Sequence, residues 1–235
     1  KLRTAFEPLF NEGEKAELHA TQTATGFDLA LRWERKLTPD LTAALAKAAK
    51  GLNIARLVLN NQAVLENGAP QILFGGVAVK PPPHAFLQST SEGEAALQQR
   101  VVAIAGKARS VADLFCGLGT FTLPLAARAK VHAVEQDRSM VEALAAAVKN
   151  APGIKPVTTE VRDLFKLPLA PAELASYDAL VLDPPRAGAE AQARMLAQSK
   201  VPVIAYVSCD AASFARDAAI LAGGGYALGP VTPIE

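Results

Sequence analysis

DLFCGLGTFTLPLA (113–126) is the stretch whose reading decides the fold. The apolar run VADLFC (111–116) leads to glycines at 117 and 119 and then to a segment of helical spacing, so the string reads as strand, tight loop, helix. Glycines at such a corner let backbone approach a ligand with no Cβ in the way. N–H groups at a helix start favour an anionic group. Working outward, the alternation repeats. Strands are expected at 111–116, 131–136, 157–162, 179–183 and 201–208, and helices at about 121–129, 138–150, 189–199 and 213–222. Strand and helix alternating at this spacing predict an α/β, Rossmann-like domain, a mostly parallel sheet with helices on both faces. Ligands of such sheets lie at the carboxyl ends of the strands.

Upstream, residues 1–83 read as a small α+β domain and 84–235 as the α/β domain. AELHATQT (16–23) and FDLALRW (27–33) alternate around Gly26 as a hairpin does. Thr38 caps an expected helix, with Pro39 in its first turn and Gly51 after its end. ARLVLN (55–60) and AVLE (63–66) lead to Asn67-Gly68, a hairpin-turn dipeptide, and on to QILFGG (71–76). Pro81-Pro82-Pro83 marks the boundary. Ser91 with Glu94 three residues on reads as a capping box opening a helix to about Lys107.

The composition is that of a globular chain: 235 residues, 50% hydrophobic, 20% charged, net charge +1. No apolar run reaches the ~18 residues of a membrane span. The two cysteines, Cys116 and Cys209, make no disulfide framework and suit a reducing cytoplasm. The three histidines are scattered, so no metal site is expected. The charge balance alone does not point to nucleic acid, and it leaves room for a local phosphate-binding patch.

Five strand ends carry the chemistry. In the loop, Asp113, Gly117, Gly119 and Thr120 are candidates for binding a nucleoside cofactor. Thr122 stands where the dinucleotide fingerprint needs its third glycine, which disfavours NAD and favours S-adenosylmethionine (SAM). Glu135 ends the next strand, where a carboxylate accepts hydrogen bonds from ribose hydroxyls. Asp163, after the third strand, could meet the adenine amino group or simply close a surface turn. Asp183-Pro-Pro-Arg186 ends the fourth. Its prolines stiffen the exit, and Arg186 stands where enzymes that methylate exocyclic amines carry an aromatic residue. Cys209 ends the fifth strand before a helix, a place that can lower a thiol's pKa. Cys116, inside the loop, reads as a buried, inert thiol.

Together these strings resemble the RNA 5-methyluridine methyltransferases, the uracil-C5 family acting on tRNA and rRNA, over roughly 86–235. The resemblance implies a class I SAM-methyltransferase fold. HAFLQS (84–89) is similar to the family's Phe-Phe-Gln segment, making Gln88 a SAM contact. By the same resemblance Gly117 and Glu135 bind SAM and Asp183 lines the pocket; Arg186, next to it in the motif, is a candidate on the substrate side. Cys209 is then the nucleophile. Residues 1–80 look like the central domain of the rRNA-directed members.

The implied substrate is RNA, rRNA before tRNA, and a monomer is expected. Uracil C5 is a poor nucleophile; a thiolate adding to C6 turns it into an enolate carbon that can take a methyl group. The uridine must leave its stack to react.

Three departures from the family stand out. Asp210-Ala211 follows the nucleophile where the family usually has Asn-Pro, and the extra carboxylate is expected to oppose a thiolate. The family's general base is a Glu in a segment after PVTPIE (230–235), so the chain as given is expected not to turn over and to lack its sheet's last strand. Glu235 sits upstream of that base and is not assigned its role. The family's small RNA-binding domain and iron–sulfur cysteines, where present, lie N-terminal to this region, so the chain reads as an internal fragment. Two other readings stay open: a SAM-dependent methyltransferase acting on an exocyclic amine of a base, and a non-catalytic RNA- or protein-binding relic of the fold.

Overall fold

The computed structural model describes residues 1–88 and 90–234. Ser89, the last residue of HAFLQS, and Glu235 lie outside the described residues. The chain folds as two compact units, Lys1–Leu73 with Lys80–Ala85, and Phe74–Val79 with Phe86–Glu235.

The first unit opens with a short helix, α1 (Leu2–Phe6), and is built on a four-stranded sheet in the order β1-β2-β3-β4. β1 (Ala16–Thr23) and β2 (Gly26–Trp33) form the expected antiparallel hairpin, Ala16 opposite Trp33 and Thr23 opposite Gly26. Helix α2 (Pro39–Ala49) then crosses to β3 (Ile54–Leu59), which runs parallel to β2. Thr38 caps α2, its hydroxyl accepting from the Leu41 N–H at 3.2 Å. β4 (Gln62–Glu66) returns antiparallel to β3.

The hairpin turn is Asn60-Asn61, both at positive φ (49° and 65°), and not Asn67-Gly68 as the dipeptide suggested. Asparagine tolerates left-handed backbone, and two successive residues there give the twist a two-residue hairpin needs. Asn67 instead closes the end of β4, its N–H and side-chain amide donating to the carbonyls of Ala55 (2.8 Å) and Ile54 (3.0 Å). Leu29, Leu31, Trp33, Leu45, Leu57 and Leu59 form the core. A buried pair, Arg56 with Asp28 at 2.6 and 2.8 Å, also holds the Pro81 carbonyl at 2.8 Å. A two-stranded ribbon, β5 (Ile72–Phe74) and β6 (Val77–Val79), follows.

The second unit carries α3 (Ser91–Ala105), β7 (Ser110–Leu114), α4 (Thr122–Ala126), β8 (Lys130–Glu135), α5 (Arg138–Lys149), β9 (Val157–Val161), α6 (Pro171–Leu174), β10 (Ala179–Leu182), α7 (Glu190–Leu196), β11 (Val203–Tyr206) and α8 (Ala211–Gly223). The cap of α3 is Thr90, whose hydroxyl accepts from the Gly93 N–H at 3.0 Å, so the box read from Ser91 and Glu94 starts one residue late.

The sheet order is β11-β10-β7-β8-β9, and every pair is parallel. Alternate residues feed two cores. Ala112, Leu114, Leu180 and Leu182 pack with Ala193 and Leu196 of α7. Val111, Ala179 and Val181 pack with Val101 of α3 and Leu125 of α4. This two-faced burial is why the strands read as continuous apolar runs.

Leu114 pairs with Val134 and with Leu182, and Leu182 with Tyr206, so four strands end at one level. The chain leaves β7 toward β8 and β9, then crosses back to β10, placing a topological switch point between β7 and β10. Among the described residues, 226–234 form no strand, and β11 is the sheet's edge on that side. Among the described residues no helix is long and apolar enough to cross a membrane.

Candidate active site

The turn after β7 is strained. Phe115 has φ +61°, rare for a bulky side chain, and is followed by Gly117 at +53° and Gly119 at +95°. For a non-glycine residue such as Phe115 this backbone costs about 1–3 kcal/mol and persists where surrounding structure over-determines it, whereas glycine takes it freely. Part of that support is the Phe115 ring packed on Phe165 with centroids 5.4 Å apart. The two glycines do different work. A Cβ on Gly119 would sit 2.6 Å from Leu144 Cδ1 of α5, so Gly119 lets helix and loop close together. A Cβ on Gly117 would meet nothing within 4 Å, so Gly117 faces open space.

Glu135 ends β8 beside this loop. Its carboxylate accepts from the N–H groups of Gln136 (2.7 Å), Asp137 (3.0 Å) and Gly117 (3.2 Å). The Gly119 N–H donates to the Cys116 carbonyl at 2.8 Å. The N–H groups of Gly117 and Gly119 are therefore engaged inside the protein.

Asp113 is fully buried beneath the loop. Its Oδ2 accepts from the Thr122 hydroxyl at 2.5 Å, and its Oδ1 has no partner among the described residues. Burial, with the charges of Asp183 and Glu135, pushes its pKa up to about 7. Asp183, just past β10, is pushed up to about 6 by burial. Cys116 is buried, and burial next to Asp113 and Glu135 raises its thiol well above the ordinary value. Thr120 is half-buried on the loop.

Both raised carboxyls bind protons more tightly folded than unfolded, so between about pH 5.5 and pH 7, above the range where lowered carboxyls such as Glu173 act in the opposite sense, the folded chain holds more protons. Stability is therefore expected to fall as pH rises through that window. Melting temperatures measured from pH 5.5 to 7.5 should decline, and Asp113→Asn should flatten the slope; an unchanged slope would place the titration elsewhere.

The substrate-side candidates lie past β10 and β11. Arg186 is exposed, and its charge contributes to lowering the Asp210 carboxyl. Cys209 is exposed in a turn closed by Ser208, whose hydroxyl donates to the Asp210 carbonyl at 2.9 Å and accepts from the Asp210 N–H at 3.2 Å. Asp210 caps α8, accepting from the Ser213 N–H at 2.8 Å, and that bond holds its carboxyl below the usual range. Its carboxylate is turned to the helix start. Asp and Asn are equivalent caps, and Ala211 fills the first helical position that proline also suits.

Two candidates are engaged or apart. Asp163 accepts from the N–H groups of Phe165 (3.0 Å) and Lys166 (3.3 Å) and pairs with Lys166 Nζ at 2.9 Å. It sits in a surface turn that is joined to the loop through Phe165. Gln88 is half-buried before α3 and makes no side-chain hydrogen bond among the described residues. Sequence reasoning missed Thr122 as the partner of Asp113 and Phe115 as a strained residue. The first had a signal, a hydroxyl in the helix turn nearest the buried acid; the second had none.

The family model described as tRNA (uracil-5-)-methyltransferase matches residues 79–222, more than half of the chain. The chain belongs to this tRNA (uracil-5-)-methyltransferase family. An uncharacterized RNA methyltransferase of Rhizobium meliloti is 45% identical over 234 residues, which cover 100% of this chain and 56% of that protein. A 23S rRNA (uracil(1939)-C(5))-methyltransferase of Chromohalobacter salexigens is 43% identical over 150 residues, 62% of this chain and 30% of that protein. The chain spans about half the length of the curated relatives it matches first.

Among solved structures, a Pyrococcus abyssi tRNA (uracil-54, C5)-methyltransferase in complex with S-adenosyl-L-homocysteine superposes with TM-score 0.66 at 21% identity. It covers 87% of this chain and 52% of that one. The fold of this uracil-5-methyltransferase family member is thus that of SAM-dependent methyltransferases.

Proposed function

We propose that this chain binds SAM and forms the catalytic part of an enzyme that methylates C5 of a uridine in RNA. The reading is carried by the common level at which four strands end. That level places the open Gly117 backbone, Glu135, Asp183 and the exposed Cys209 thiol along one edge of the sheet. The residues present fit the cofactor: an orphaned buried oxygen on Asp113, space over Gly117, and a strand-end carboxylate already oriented by three N–H groups. Glu135 would accept from the ribose and Gly117 would pass close to the methionine part. Gln88, Thr120 and Asp163 would complete the lining, Asp113 supporting the loop from beneath. SAM supplies an electrophilic methyl group.

On the substrate side the Cys209 thiolate would add to C6 of the uracil, the C5–C6 π pair would shift to C5, and C5 would take the methyl group as its bond to the cofactor sulfur breaks and leaves S-adenosylhomocysteine. A base removes the C5 proton, and the thiolate leaves as the C5–C6 double bond re-forms. Arg186 and Asp183 would hold the flipped base. The 43% identity to an rRNA enzyme over 150 residues supports rRNA over tRNA. The test is nucleoside analysis after incubating the full-length protein with labelled SAM and either unmodified rRNA or unmodified tRNA. Label is expected in 5-methyluridine from rRNA; label in an N-methylated base would support the amine reading instead.

Glu135→Ala is expected to weaken SAM binding in calorimetry by about 1–3 kcal/mol, the scale of a lost charged hydrogen-bond acceptor. Unchanged affinity would remove Glu135 from the site.

A further inference from the structure

We propose that Asp217 is a positioning residue for methyl transfer, a buried clasp fixing the loop after Asp183–Arg186 against the strand that delivers Cys209. The proposal rests on the reaction proposed above.

Asp217 lies on α8, fully buried in a stretch of small and apolar residues. Its Oδ2 accepts from the Ala189 N–H and from the Tyr206 hydroxyl, both at 2.6 Å. Its Oδ1 accepts from Arg216 Nε at 2.8 Å. Arg216 Nη2 reaches on to the Ala187 carbonyl at 2.9 Å. Gly188, between these two loop residues, lies so close that an added Cβ would meet Arg216, Asp217 and Ser213 at 2.5, 2.7 and 2.9 Å.

The partners are what give the clasp its meaning. Ala187–Ala189 directly follows Arg186. Tyr206 is the last residue of β11, three before Cys209, and its ring meets Phe214 of α8 edge-on at 5.4 Å. Asp210 caps the same helix next to the thiol. One helix therefore holds the cysteine turn at its start and, about 10 Å along it, the loop that carries the other substrate-side residue.

Packing alone does not call for this arrangement. A buried carboxylate costs several kcal/mol to desolvate, and apolar residues of similar volume often serve stability as well or better. A fully bonded charge instead fixes relative geometry, and a displacement of about 1 Å at a reacting group can cost about 100-fold in rate.

The test uses Asp217→Asn, Arg216→Lys and Tyr206→Phe in the full-length protein. RNA carrying 5-fluorouridine at the target traps the Cys209 adduct, because the C5 fluorine cannot leave as the proton does. Adduct formation at saturating RNA should slow about 10- to 100-fold in Asp217→Asn. Half-saturating RNA and SAM affinity should stay within about twofold. Arg216→Lys and Tyr206→Phe, which keep charge or ring, should shift the same rate in the same direction with melting temperature nearly unchanged.

Wild-type rates in all three variants would overturn the clasp. So would rates that fall only in step with SAM affinity and folded fraction, the mark of a purely structural role. If the unsubstituted protein forms no adduct, the reaction reading fails and takes the clasp with it. Normal trapping by the unsubstituted protein and by all three variants sinks the clasp alone.

Discussion

Cys209→Ala is expected to abolish methyl transfer in the full-length protein, a loss on the order of 10⁴-fold or more, while leaving SAM affinity within about twofold. Cys209 is exposed in a turn past β11, and among the described residues its thiol makes no hydrogen bond to the cofactor-side residues. Removing it deletes the addition to C6 and leaves the Gly117–Glu135 corner as it stands. Cys116→Ala should keep measurable transfer, because Cys116 is buried with its thiol held protonated. Filter-based methyl transfer for activity and calorimetry for SAM separate the two effects. A Cys209 variant that methylates at near the normal rate would remove covalent catalysis from the account.

Gly119→Ala should have the next largest effect, on folding. At φ +95° an L-residue is strained, and its Cβ would lie 2.6 Å from Leu144 Cδ1 in a packed interior. Strain and overpacking together cost about 2–5 kcal/mol. Chemical denaturation should show that loss. Gly117→Ala, with open space around the same position, should lose about 1 kcal/mol of stability and yet bind SAM markedly less well. Equal destabilisation by the two substitutions would mean that the loop is closed over Gly117 and faces no ligand.

The parallel sheet was legible because its strands are buried on both faces and its helices are amphipathic or small-residue segments between glycine, proline and acidic caps. VADLFC, KVHAVE and YDALVLD could be little else. The hairpin turn was misplaced because Asn67-Gly68 carries the stronger local signal. The structure instead places its two left-handed residues at Asn60-Asn61, where β3 and β4 must meet to cover Leu57 and Leu59. The cap of α3 slipped by one residue because Thr90 and Ser91 are both good caps, and only backbone angles choose between them.

At the site, the acid, the glycines and the cysteine turn were readable as residue types at strand ends. The engagement of the Gly117 N–H group was not, since it depends on Glu135 folding back from the next strand. Asp217 was invisible for a similar reason. Its partners Ala189 and Tyr206 are 28 and 11 residues away, and nothing in AASFARDAAILAG says that its one acid points inward.

The central claim is that Cys209 bonds covalently to the target uracil. The most direct measurement is mass spectrometry of the proteolysed adduct formed with SAM and 5-fluorouridine RNA. The account predicts the nucleotide on the peptide containing Cys209 and none on the peptide containing Cys116. Nucleotide on the Cys116 peptide, or 5-methyluridine formed from ordinary RNA with no trapped adduct at all, would contradict it.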